Sequence, residues 1–435
     1  MKKIVIKKSL SLRGEVLVPG DKSISHRALI FSALSEGEAK IENFLFSQDC
    51  LSTMNCLKNL GVNIEILEKV VKVKGVGIRG FKEPEDVLDA GNSGTTIRLL
   101  TGLLSGIPNM FTVITGDSSL RRRPMRRVID PLMNMGAMIW GRNDNNNPPL
   151  AIKGNQLKGF KHILKVASAQ VKSALLIAGL LAEGETWVTE PALSRDHTER
   201  MFEYLGLPLE REGLTLKTHK IEGYKAKDFY IPGDISSAAF LIGAGLISEG
   251  SSVVIKNVGL NPTRVGMLEI LKKSGAKIEI LKEWEAGKEP IGDIKVEFSE
   301  LEPIEVMGDI VPRLIDEVPI LAIIATQAKG KSVFKDVEEL KVKESDRIKA
   351  IVNGINKMGG KAEEIDGGFV VYGPSKLIGS EIDTFSDHRI AMSFAIAGLV
   401  AEGETIVESE SISISFPNFV EVIFQLGGNI IELSA

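Results

Sequence analysis

The sequence repeats one pattern six times, and this repetition constrains the fold more than any other feature. In each copy an apolar run with helical spacing ends at a glycine, and four copies end almost alike, at Gly37, Gly184, Gly250 and Gly403. A glycine directly after a helix is a common left-handed cap. The six runs cover residues 28–37, 95–106, 172–184, 236–250, 318–330 and 389–403.

A second helical segment, also ending at a glycine, follows each run, and alternating β-type residues come next, as in residues 62–66 and 276–280. The period of roughly 70 residues is long for a solenoid repeat and mixes helices with strands. The first helices are apolar on all sides, as in residues 172–182, and such helices are buried. We therefore predict an α/β fold in which buried parallel helices lie under amphipathic sheets.

Polar residues stand at the starts of the buried helices. The unpaired N–H groups and the dipole of a helix start favour an anion. Parallel helices would aim these starts at one region, so the pattern predicts a convergent anion site. The polar residues concerned are Ser23, Thr95, Gln170, Asp316 and Asp387.

Two similar turns divide the chain, Pro-Gly-Asp at residues 19–21 and again at 232–234. The second copy lacks the cations Lys22 and Arg27 of the first, so the needs of a turn do not explain those two residues. We predict two similar lobes of three units each, one formed by residues 1–19 plus 233–435 and the other by residues 20–232. The crossings near 19–21 and 231–234 would act as a hinge, and the lobes would close on a ligand between them.

Composition excludes several classes of protein. The formal net charge of -4 gives no general attraction to nucleic acid or anionic membrane. No apolar run reaches the roughly 18 residues of a membrane helix, and the start of the chain resembles a short strand rather than a signal peptide. The only cysteines, Cys50 and Cys56, form no metal-ligand pattern and suit a reducing cytoplasm. We expect a cytoplasmic monomer without metal or organic cofactor.

Two glycine-containing helix starts carry the first candidate groups. In residues 19–27 Lys22 and Arg27 add charge to a helix start, although Ser23 and Ser25 are also ordinary capping residues. In residues 89–98 Gly91 and Gly94 allow close approach of the backbone to a ligand, whereas capping is a sufficient role for Asn92.

Arginines concentrate in residues 120–127, where five of the eight residues are arginine. Arg123, fixed by Pro124, is the candidate for bidentate binding of a carboxylate or phosphate, and at least two of the others should be solvated. No aromatic residues lie among them, which disfavours nucleic acid.

Charged groups in the second half of the chain are candidates for acid–base chemistry. Asp316 stands at a helix start where other units carry Lys22 or Gln170. Lys343 and Arg347 would share a helix face if this segment is helical, with Glu344 beside them. His197 is a candidate base, but a structural hydrogen-bonding role is the favoured interpretation.

Taken together, these motifs resemble the 5-enolpyruvylshikimate-3-phosphate synthase (EPSP synthase) family, in variants similar to its second class. The resemblance covers nearly the whole chain, and the motifs occur in the family order at residues 20–23, 92–95, 123–125, 168–172, 195–199, 261–264, 343–347 and 387–389. It implies an inside-out α/β barrel in each of two lobes, with three βαβαββ units per lobe. It also implies enolpyruvyl transfer from phosphoenolpyruvate to the 5-hydroxyl of shikimate 3-phosphate, by addition and elimination of phosphate.

The resemblance implies site residues at the matching positions. Shikimate 3-phosphate would bind Lys22, Ser23, Arg27, Ser168, Ala169, Gln170, Arg195, Asp316 and Lys343. Phosphoenolpyruvate would bind Lys22, Gly94, Arg123, Gln170, Arg347 and Arg389. Two phosphates and two carboxylates need several cations to offset their repulsion. Asp316 would be the base, Glu344 the acid, and Lys22 the proton donor to phosphate.

Two positions bear on this resemblance. Some members carry a lysine where this chain has Ile414, so one contact to phosphoenolpyruvate is missing or replaced. Some glyphosate-resistant members of the second class carry alanine where this chain has Gly94, so we expect inhibition by glyphosate.

Three alternatives stay open at this point. The related enolpyruvyl transferase of a uridine-diphosphate amino sugar has a cysteine in the loop that matches residues 116–123, and this loop has none. A phosphate- or RNA-binding scaffold would leave Asp316 and Glu344 without a role. A P-loop NTPase is disfavoured because residues 20–23 lack the full glycine spacing before the lysine.

Overall fold

The computed structural model describes residues 2–433 and divides into two compact units. The discontinuous unit comprises Met1–Pro19, Pro232–Glu285 and Pro290–Ala435. The inserted unit comprises Gly20–Ile231 and Ala286–Glu289. Each unit has its own hydrophobic core.

Strands and helices are numbered along the chain. Residues 2–19 form β1 (Lys3–Lys7) and β2 (Arg13–Leu17). Residues 20–231 form α1 (Lys22–Leu34), β3 (Glu36–Glu42), α2 (Gln48–Asn59), β4 (Asn63–Leu67), β5 (Val70–Val76), β6 (Leu88–Asp89), α3 (Gly94–Ser105), β7 (Phe111–Thr115), α4 (Arg126–Asn134), β8 (Met138–Gly141), the single turn α5 (Arg142–Asn145), β9 (Asn147–Lys153), β10 (Lys161–Ile163), α6 (Ala169–Gly179), β11 (Glu185–Thr189), α7 (His197–Leu205), β12 (Glu210–Glu212), β13 (Thr215–His219) and β14 (Phe229–Tyr230).

The remaining residues form the second series of elements. These are α8 (Ile235–Ile247), β15 (Ser252–Gly259), α9 (Gly266–Lys273), β16 (Lys277–Ala286), β17 (Glu289–Glu297), β18 (Glu305–Val306), α10 (Val318–Ala325), β19 (Gly330–Phe334), α11 (Arg347–Lys357), β20 (Lys361–Ile365), β21 (Gly368–Gly373), β22 (Glu381–Ile382), α12 (His388–Gly398), β23 (Glu404–Glu408), α13 (Phe419–Gln425) and β24 (Ile430–Leu433).

The inserted unit contains three four-stranded mixed sheets of one design. Their orders are β14-β3-β5-β4, β6-β7-β9-β8 and β10-β11-β13-β12. In each sheet a short first strand runs parallel to its neighbour and the other pairs are antiparallel. The strands alternate buried and exposed residues, as β11 does, because one face of each sheet covers the core and the other meets solvent.

The discontinuous unit repeats this design in the sheets β16-β17-β15-β2, β18-β19-β21-β20 and β22-β23-β1-β24. Two of its strands come from the start of the chain: β2 runs parallel to β15, and β1 lies antiparallel between β23 and β24. The mixed α/β fold predicted from the sequence is thereby confirmed.

The first helix of each repeat lies in the core of its unit. Every residue of α8, α10 and α12 is buried, and the central parts of α1, α3 and α6 are buried as well. Helices that are apolar on all sides are stable only when the whole helix is buried. Within residues 2–433 no helix is long and apolar enough to cross a membrane.

Candidate active site

In the inserted unit, polar residues cluster at the starts of α1, α3 and α6. Asp21 caps α1 by accepting a hydrogen bond from the Ile24 N–H at 2.9 Å, and Ser93 caps α3 in the same way at Thr96. The capping role expected for Asn92 is therefore wrong, and so is the alternative interpretation of Ser23 and Ser25 as caps, because Asp21 and Ser93 hold those positions. The side chains of the predicted residues are left for other contacts.

Lys22 is the first residue of α1, and its ammonium group is largely enclosed. Lys22 Nζ lies 3.1 Å from Asp49 Oδ2, and the two side chains are 19% and 10% exposed. Asp49 belongs to α2, and the sequence analysis did not single it out. The carboxylate of Asp49 therefore orients the partly enclosed ammonium group of Lys22 through a charge-assisted hydrogen bond.

Arg27 is held one turn further along α1, and its guanidinium is buried. Its Nε donates to Thr198 Oγ1 at 2.7 Å, its Nη2 to Ser173 Oγ at 2.7 Å, and its Nη1 to the Ser23 carbonyl at 2.9 Å. Burial lowers the pKa of Arg27 to about 10, and the Glu199 carboxylate acts against this lowering. The charge of Arg195 also lowers the pKa of Arg27, so two cations predicted to bind the same substrate lie near each other.

A second cluster of the inserted unit surrounds Gly94, the first residue of α3. A Cβ atom at Gly94 would lie 2.6 Å from Arg98 Nη1 and 3.3 Å from Arg123 Nη1, so two guanidinium groups converge on this glycine. Arg98 Nη1 also donates to Gln170 Oε1 at 2.6 Å, and Gln170 Nε2 donates to Thr95 Oγ1 at 3.0 Å. The structure thus brings together Gly94, Arg123 and Gln170, and it adds Arg98, which the sequence analysis missed.

Arg123 is oriented by a neighbouring amide. Its Nη2 donates to Asn92 Oδ1 at 2.8 Å, and Asn92 Nδ2 donates in turn to Asp117 Oδ2 at 2.8 Å. Arg121, Arg122 and Arg126 are exposed, which confirms that at least two arginines of this run are solvated. The amide of Asn92 therefore fixes the direction of the Arg123 guanidinium.

The start of α6 supplies neutral groups. Ser168 is the N-cap, and its Oγ accepts from the Val171 N–H at 3.5 Å, while Ala169 is the first helical residue. Ser168, Ala169 and Gln170 are all partly exposed, so their polar groups can reach a ligand. Arg195 is also partly exposed, just before α7.

In the discontinuous unit, Arg347 is the centre of the charged cluster, and its side chain is only 1% exposed. Its Nε and Nη2 donate to Asp387 at 2.8 and 3.2 Å, and Nη2 also donates to Glu344 Oε2 at 2.7 Å. Burial alone would lower the pKa of Arg347, but the nearby carboxylates outweigh it and raise the pKa above the ordinary value. Arg347 therefore remains a cation at all physiological pH values.

Asp316 lies beside two of these cations, in the short turn Ile315–Glu317 before α10. Its Oδ1 is 3.7 Å from Arg347 Nη1, its Oδ2 is 3.8 Å from Arg389 Nη2, and its carbonyl accepts from Arg389 Nη1 at 3.0 Å. Asp316 and Glu344 are 16% and 21% exposed, so each carboxylate reaches the surface of the cluster. Together with Asp387, and with Glu317 at 3.8 Å from Arg389 Nη1, the cluster joins four carboxylates to two guanidinium groups.

The segment that carries Lys343 and Glu344 differs from the predicted arrangement. The helix α11 begins only at Arg347, so Lys343 and Arg347 do not share a helix face. Asp346 caps α11, and this leaves residues 343–346 in an irregular turn. Lys343 Nζ donates instead to Glu339 Oε1 at 3.0 Å, and its side chain is 23% exposed.

The structure also shows the surroundings of His197 and Ile414, two further positions discussed from the sequence. His197 is buried at the start of α7, and its Nδ1 lies 2.7 Å from Glu289 Oε1, as expected for a structural histidine. Ile414, at the position where some relatives carry lysine, ends the short 3-10 helix Glu410–Ile414 and is partly exposed. Across residues 2–433 no group of three or more histidine, cysteine, aspartate or glutamate side chains is arranged to hold a metal ion.

Two carboxylates orient cations in a way that the sequence does not reveal, although Asp387 was expected at a helix start. Asp49 lies in the first turn of α2, and Asp387 is the N-cap of α12. An acidic residue at either position is common for capping alone, so only the tertiary structure shows that they hold Lys22 and Arg347. Such clusters suit ligands that carry both phosphate and carboxylate groups.

Comparison with known proteins gives one consistent result. The family model for EPSP synthase (3-phosphoshikimate 1-carboxyvinyltransferase) matches residues 6–423. The 3-phosphoshikimate 1-carboxyvinyltransferase of Carboxydothermus hydrogenoformans is 52% identical over 427 residues, which are 98% of this chain and 99% of the relative. That of Brevibacillus brevis is 50% identical over 422 residues, covering 97% and 99%. A solved structure of EPSP synthase from Acinetobacter baumannii superposes with a TM-score of 0.90 at 42% identity over 100% of both chains.

Proposed function

The chain belongs to the EPSP synthase family, the 3-phosphoshikimate 1-carboxyvinyltransferases, and on this premise we propose how its own residues divide the reaction. It is a transferase of the shikimate pathway. It moves the enolpyruvyl group of phosphoenolpyruvate to shikimate 3-phosphate, and phosphate is released.

For shikimate 3-phosphate, the proposed ligands combine fixed cations with neutral hydrogen-bonding groups. Arg27 supports this assignment because its guanidinium is already oriented by Thr198 and Ser173, so little conformational entropy is lost on binding. The ring hydroxyls would meet the neutral groups at the start of α6. The complete proposed set is Lys22, Ser23, Arg27, Ser168, Ala169, Gln170, Arg195, Asp316 and Lys343.

For phosphoenolpyruvate, the proposed ligands are the cations that converge on small or neutral groups. The convergence of Arg98 and Arg123 on Gly94 supports this, because a ligand that approaches the glycine meets two guanidinium groups. The buried Arg347 and the neighbouring Arg389 supply fixed positive charge in the discontinuous unit. The complete proposed set is Lys22, Gly94, Arg123, Gln170, Arg347 and Arg389.

The proposed proton transfers follow from the addition and elimination. In the addition, Asp316 takes the proton of the 5-hydroxyl as its oxygen bonds to C2 of phosphoenolpyruvate, and Glu344 gives a proton to the methylene carbon, which becomes a methyl group. In the elimination, Glu344 takes a proton back from the methyl group. The C–O bond to phosphate then breaks, and Lys22 protonates the leaving phosphate. Solvent afterwards moves the hydroxyl proton from Asp316 to Lys22.

One observation carries this assignment: Arg347 contacts both proposed acid–base groups, Glu344 at 2.7 Å and Asp316 at 3.7 Å. A single buried cation thus fixes the base and the acid relative to each other. Preorganised charge of this kind is the main source of catalysis in many enzymes.

The test is a titration followed by an assay. Shikimate 3-phosphate is titrated into the purified protein by calorimetry, phosphoenolpyruvate is added, and released phosphate is measured. We expect saturable binding and stoichiometric release of phosphate. Absence of shikimate 3-phosphate binding by folded protein would overturn the substrate assignment.

We also propose that the enzyme is a cytoplasmic monomer. Cys50 and Cys56 are both free and buried, which suits a reducing compartment. Each unit has its own extensive core, so neither needs a second copy to bury its helices. Sedimentation equilibrium at micromolar concentration tests this, and a mass above about 47.2 kDa would contradict it.

A further inference from the structure

Lys172 is a fully buried lysine within the apolar helix α6. Its side chain has 0% exposure, and it lies between two carboxylates, with Nζ 2.8 Å from Glu190 Oε2 and 2.7 Å from Glu199 Oε1. A third contact joins Nζ to the Ser194 carbonyl at 3.5 Å. Lysine is almost never fully buried unless it is paired, so this position has a specific role.

The cluster around Lys172 is nearly closed and electrically balanced. Arg211 Nη2 donates to Glu199 Oε1 at 3.0 Å, and Ser194 Oγ donates to Glu190. The two cations therefore match the two carboxylates. Buried ion pairs add little net stability compared with apolar residues of similar volume, because desolvation offsets their attraction. Their best-supported role is to fix one arrangement of the chain.

The segment that the cluster fixes is the one that carries Arg195. Lys172 contacts Glu190 before this segment, Ser194 within it and Glu199 after it. Ser194 directly precedes Arg195 in the chain. Its carbonyl accepts from Lys172 and its hydroxyl donates to Glu190, so the backbone next to Arg195 is held at two points.

The same cluster also reaches Arg27. Thr198, next to Glu199 in α7, accepts the hydrogen bond of Arg27 Nε, and Ser173, next to Lys172 in α6, accepts that of Nη2. Lys172 and Glu199 are therefore the sequence neighbours of both hydroxyl groups that orient Arg27. Moving α7 relative to α6 would disturb both contacts.

We propose that Lys172 is a positioning residue for the phosphorylated substrate: through Glu190, Ser194 and Glu199 it fixes Arg195 and Arg27 in the geometry that binds shikimate 3-phosphate. The inference rests on the proposed function. Lys172 has no exposed surface, and its Nζ lies between the carboxylates of Glu190 and Glu199, so it would act through these two arginines rather than by contact with the substrate.

The test compares two variants at fully buried positions of α6, both of which are expected to lose stability. Lys172→Met keeps the length of the side chain and removes its charge. Ile177→Ala shortens another fully buried residue of α6 outside the cluster and serves as the matched control. We expect Lys172→Met to raise the Kd and KM for shikimate 3-phosphate roughly 10- to 100-fold, and to leave the KM for phosphoenolpyruvate within about twofold. Ile177→Ala should lower the Tm and leave both KM values unchanged.

A double-mutant cycle shows whether the effect passes through Arg195. In an Arg195→Met background, we expect Lys172→Met to raise the Kd for shikimate 3-phosphate by far less than it does in the wild type, because coupled residues are not additive. Full additivity, or equal Kd changes in Lys172→Met and Ile177→Ala, would overturn the proposal.

A milder variant covers the case in which Lys172→Met does not fold. Ser194→Ala removes only the hydroxyl that donates to Glu190, and we expect it to raise the Kd for shikimate 3-phosphate about threefold with a smaller loss of Tm than Lys172→Met. An unchanged Kd would contradict the proposal. If wild-type protein does not bind shikimate 3-phosphate, the proposed function fails, and this outcome is seen before any variant is measured.

Discussion

Asp387 holds Arg347 with both of its carboxylate oxygens, Oδ2 at 2.8 Å from Nε and Oδ1 at 3.2 Å from Nη2, and both side chains are buried. The same carboxylate caps α12 by accepting from the Arg389 N–H at 2.9 Å. Burial alone would raise the pKa of Asp387, yet Arg347 holds it below the usual range. One carboxylate thus holds the guanidinium of Arg347 and the backbone at the start of the helix that carries Arg389, the two cations assigned to phosphoenolpyruvate in the discontinuous unit.

Arg347→Lys should therefore be far from conservative. A lysine cannot form the two-point contact to Asp387, and it leaves part of that buried carboxylate without a donor. We expect kcat/KM for phosphoenolpyruvate to fall by about 100- to 1000-fold and the free energy of unfolding to fall by about 2–4 kcal/mol. Steady-state kinetics and urea unfolding measure the two effects.

The matched control is Arg313→Lys, because Arg313 pairs with Glu269 in the same unit and is partly exposed. This variant should keep wild-type kinetics. Wild-type kinetics in Arg347→Lys would show that the two-point contact is not needed.

Asp316→Asn and Glu344→Gln should separate catalysis from binding. Each variant removes a group to which we assign a proton transfer, so we expect kcat to fall about 100- to 10000-fold. Asp316 lies near Arg347 and Arg389, and loss of its negative charge leaves more positive charge for the anionic substrate. The KM for phosphoenolpyruvate should therefore stay the same or fall.

Asp309→Asn, an exposed carboxylate change close in sequence, is the control and should leave kcat unchanged. If Asp316→Asn spares kcat, Asp316 is not the base, and any rise in the KM for shikimate 3-phosphate then reports only its role in binding.

Gly94→Ala should distinguish phosphoenolpyruvate from glyphosate. The new Cβ would lie 2.6 Å from Arg98 Nη1 and 3.3 Å from Arg123 Nη1, so both flexible guanidinium ends must shift. We expect inhibition of the wild type by millimolar glyphosate. In the variant we expect about a tenfold higher KM for phosphoenolpyruvate and a larger loss of glyphosate inhibition.

Inhibition assays at several phosphoenolpyruvate concentrations give both constants. The control is Gly245→Ala in α8, which places a Cβ 3.2 Å from Val296 Cγ1. It should change neither the KM for phosphoenolpyruvate nor the inhibition by glyphosate. Wild-type activity that is unaffected by millimolar glyphosate would contradict the prediction.

His26 should make the fold sensitive to mild acid. Burial, with help from Lys22 and Arg27, lowers the pKa of His26 well below 6.5, and its Nδ1 contacts Thr53 Oγ1 at 2.7 Å. The unfolded chain then binds a proton that the folded protein does not, so stability is lost as the pH falls below 6.5. The contribution of one such group reaches about 1.4 kcal/mol per pH unit.

Urea unfolding between pH 7.5 and about 5 tests this. We expect His26→Asn to show a smaller loss of stability with falling pH than the wild type. His219→Asn, at an exposed histidine of the same unit, should keep the wild-type slope. Equal slopes in all three proteins would show that His26 does not contribute.

Local sequence predicts the repeated helices well and strand pairing poorly. The apolar runs are local signals, and α1, α6, α8 and α12 lie where these runs predict helices. The prediction that the closing glycines cap these helices is wrong, because each helix ends several residues earlier: α1 ends at Leu34, and Gly37 lies within β3. By contrast, β2 and β14 each precede a buried helix, but β2 pairs with β15 and β14 pairs with β3. Strands of two to five residues contain too few side chains to specify a partner, and the packing of the whole unit decides it.

In the candidate site, too, residues marked by local sequence were predicted, whereas residues brought in by tertiary packing were not. Lys22, Gly94, Gln170 and Arg389 stand at helix starts and were found from sequence. Arg98 lies one turn into α3 with nothing nearby in sequence to mark it, and only the packing of α3 against α6 brings it to Gln170.

The position of β1 has a consequence for the order in which the protein is made. Its Val5 pairs with Ile406 on one side and with Ile431 on the other. The strand therefore stays unpaired until roughly 400 more residues have been synthesised, which takes about 20 to 80 seconds at ordinary ribosome speed. All strands of the three inserted sheets emerge before it finds a partner. Lys3, Lys7 and Lys8 flank its apolar residues, and their repulsion would keep nascent chains apart during the wait.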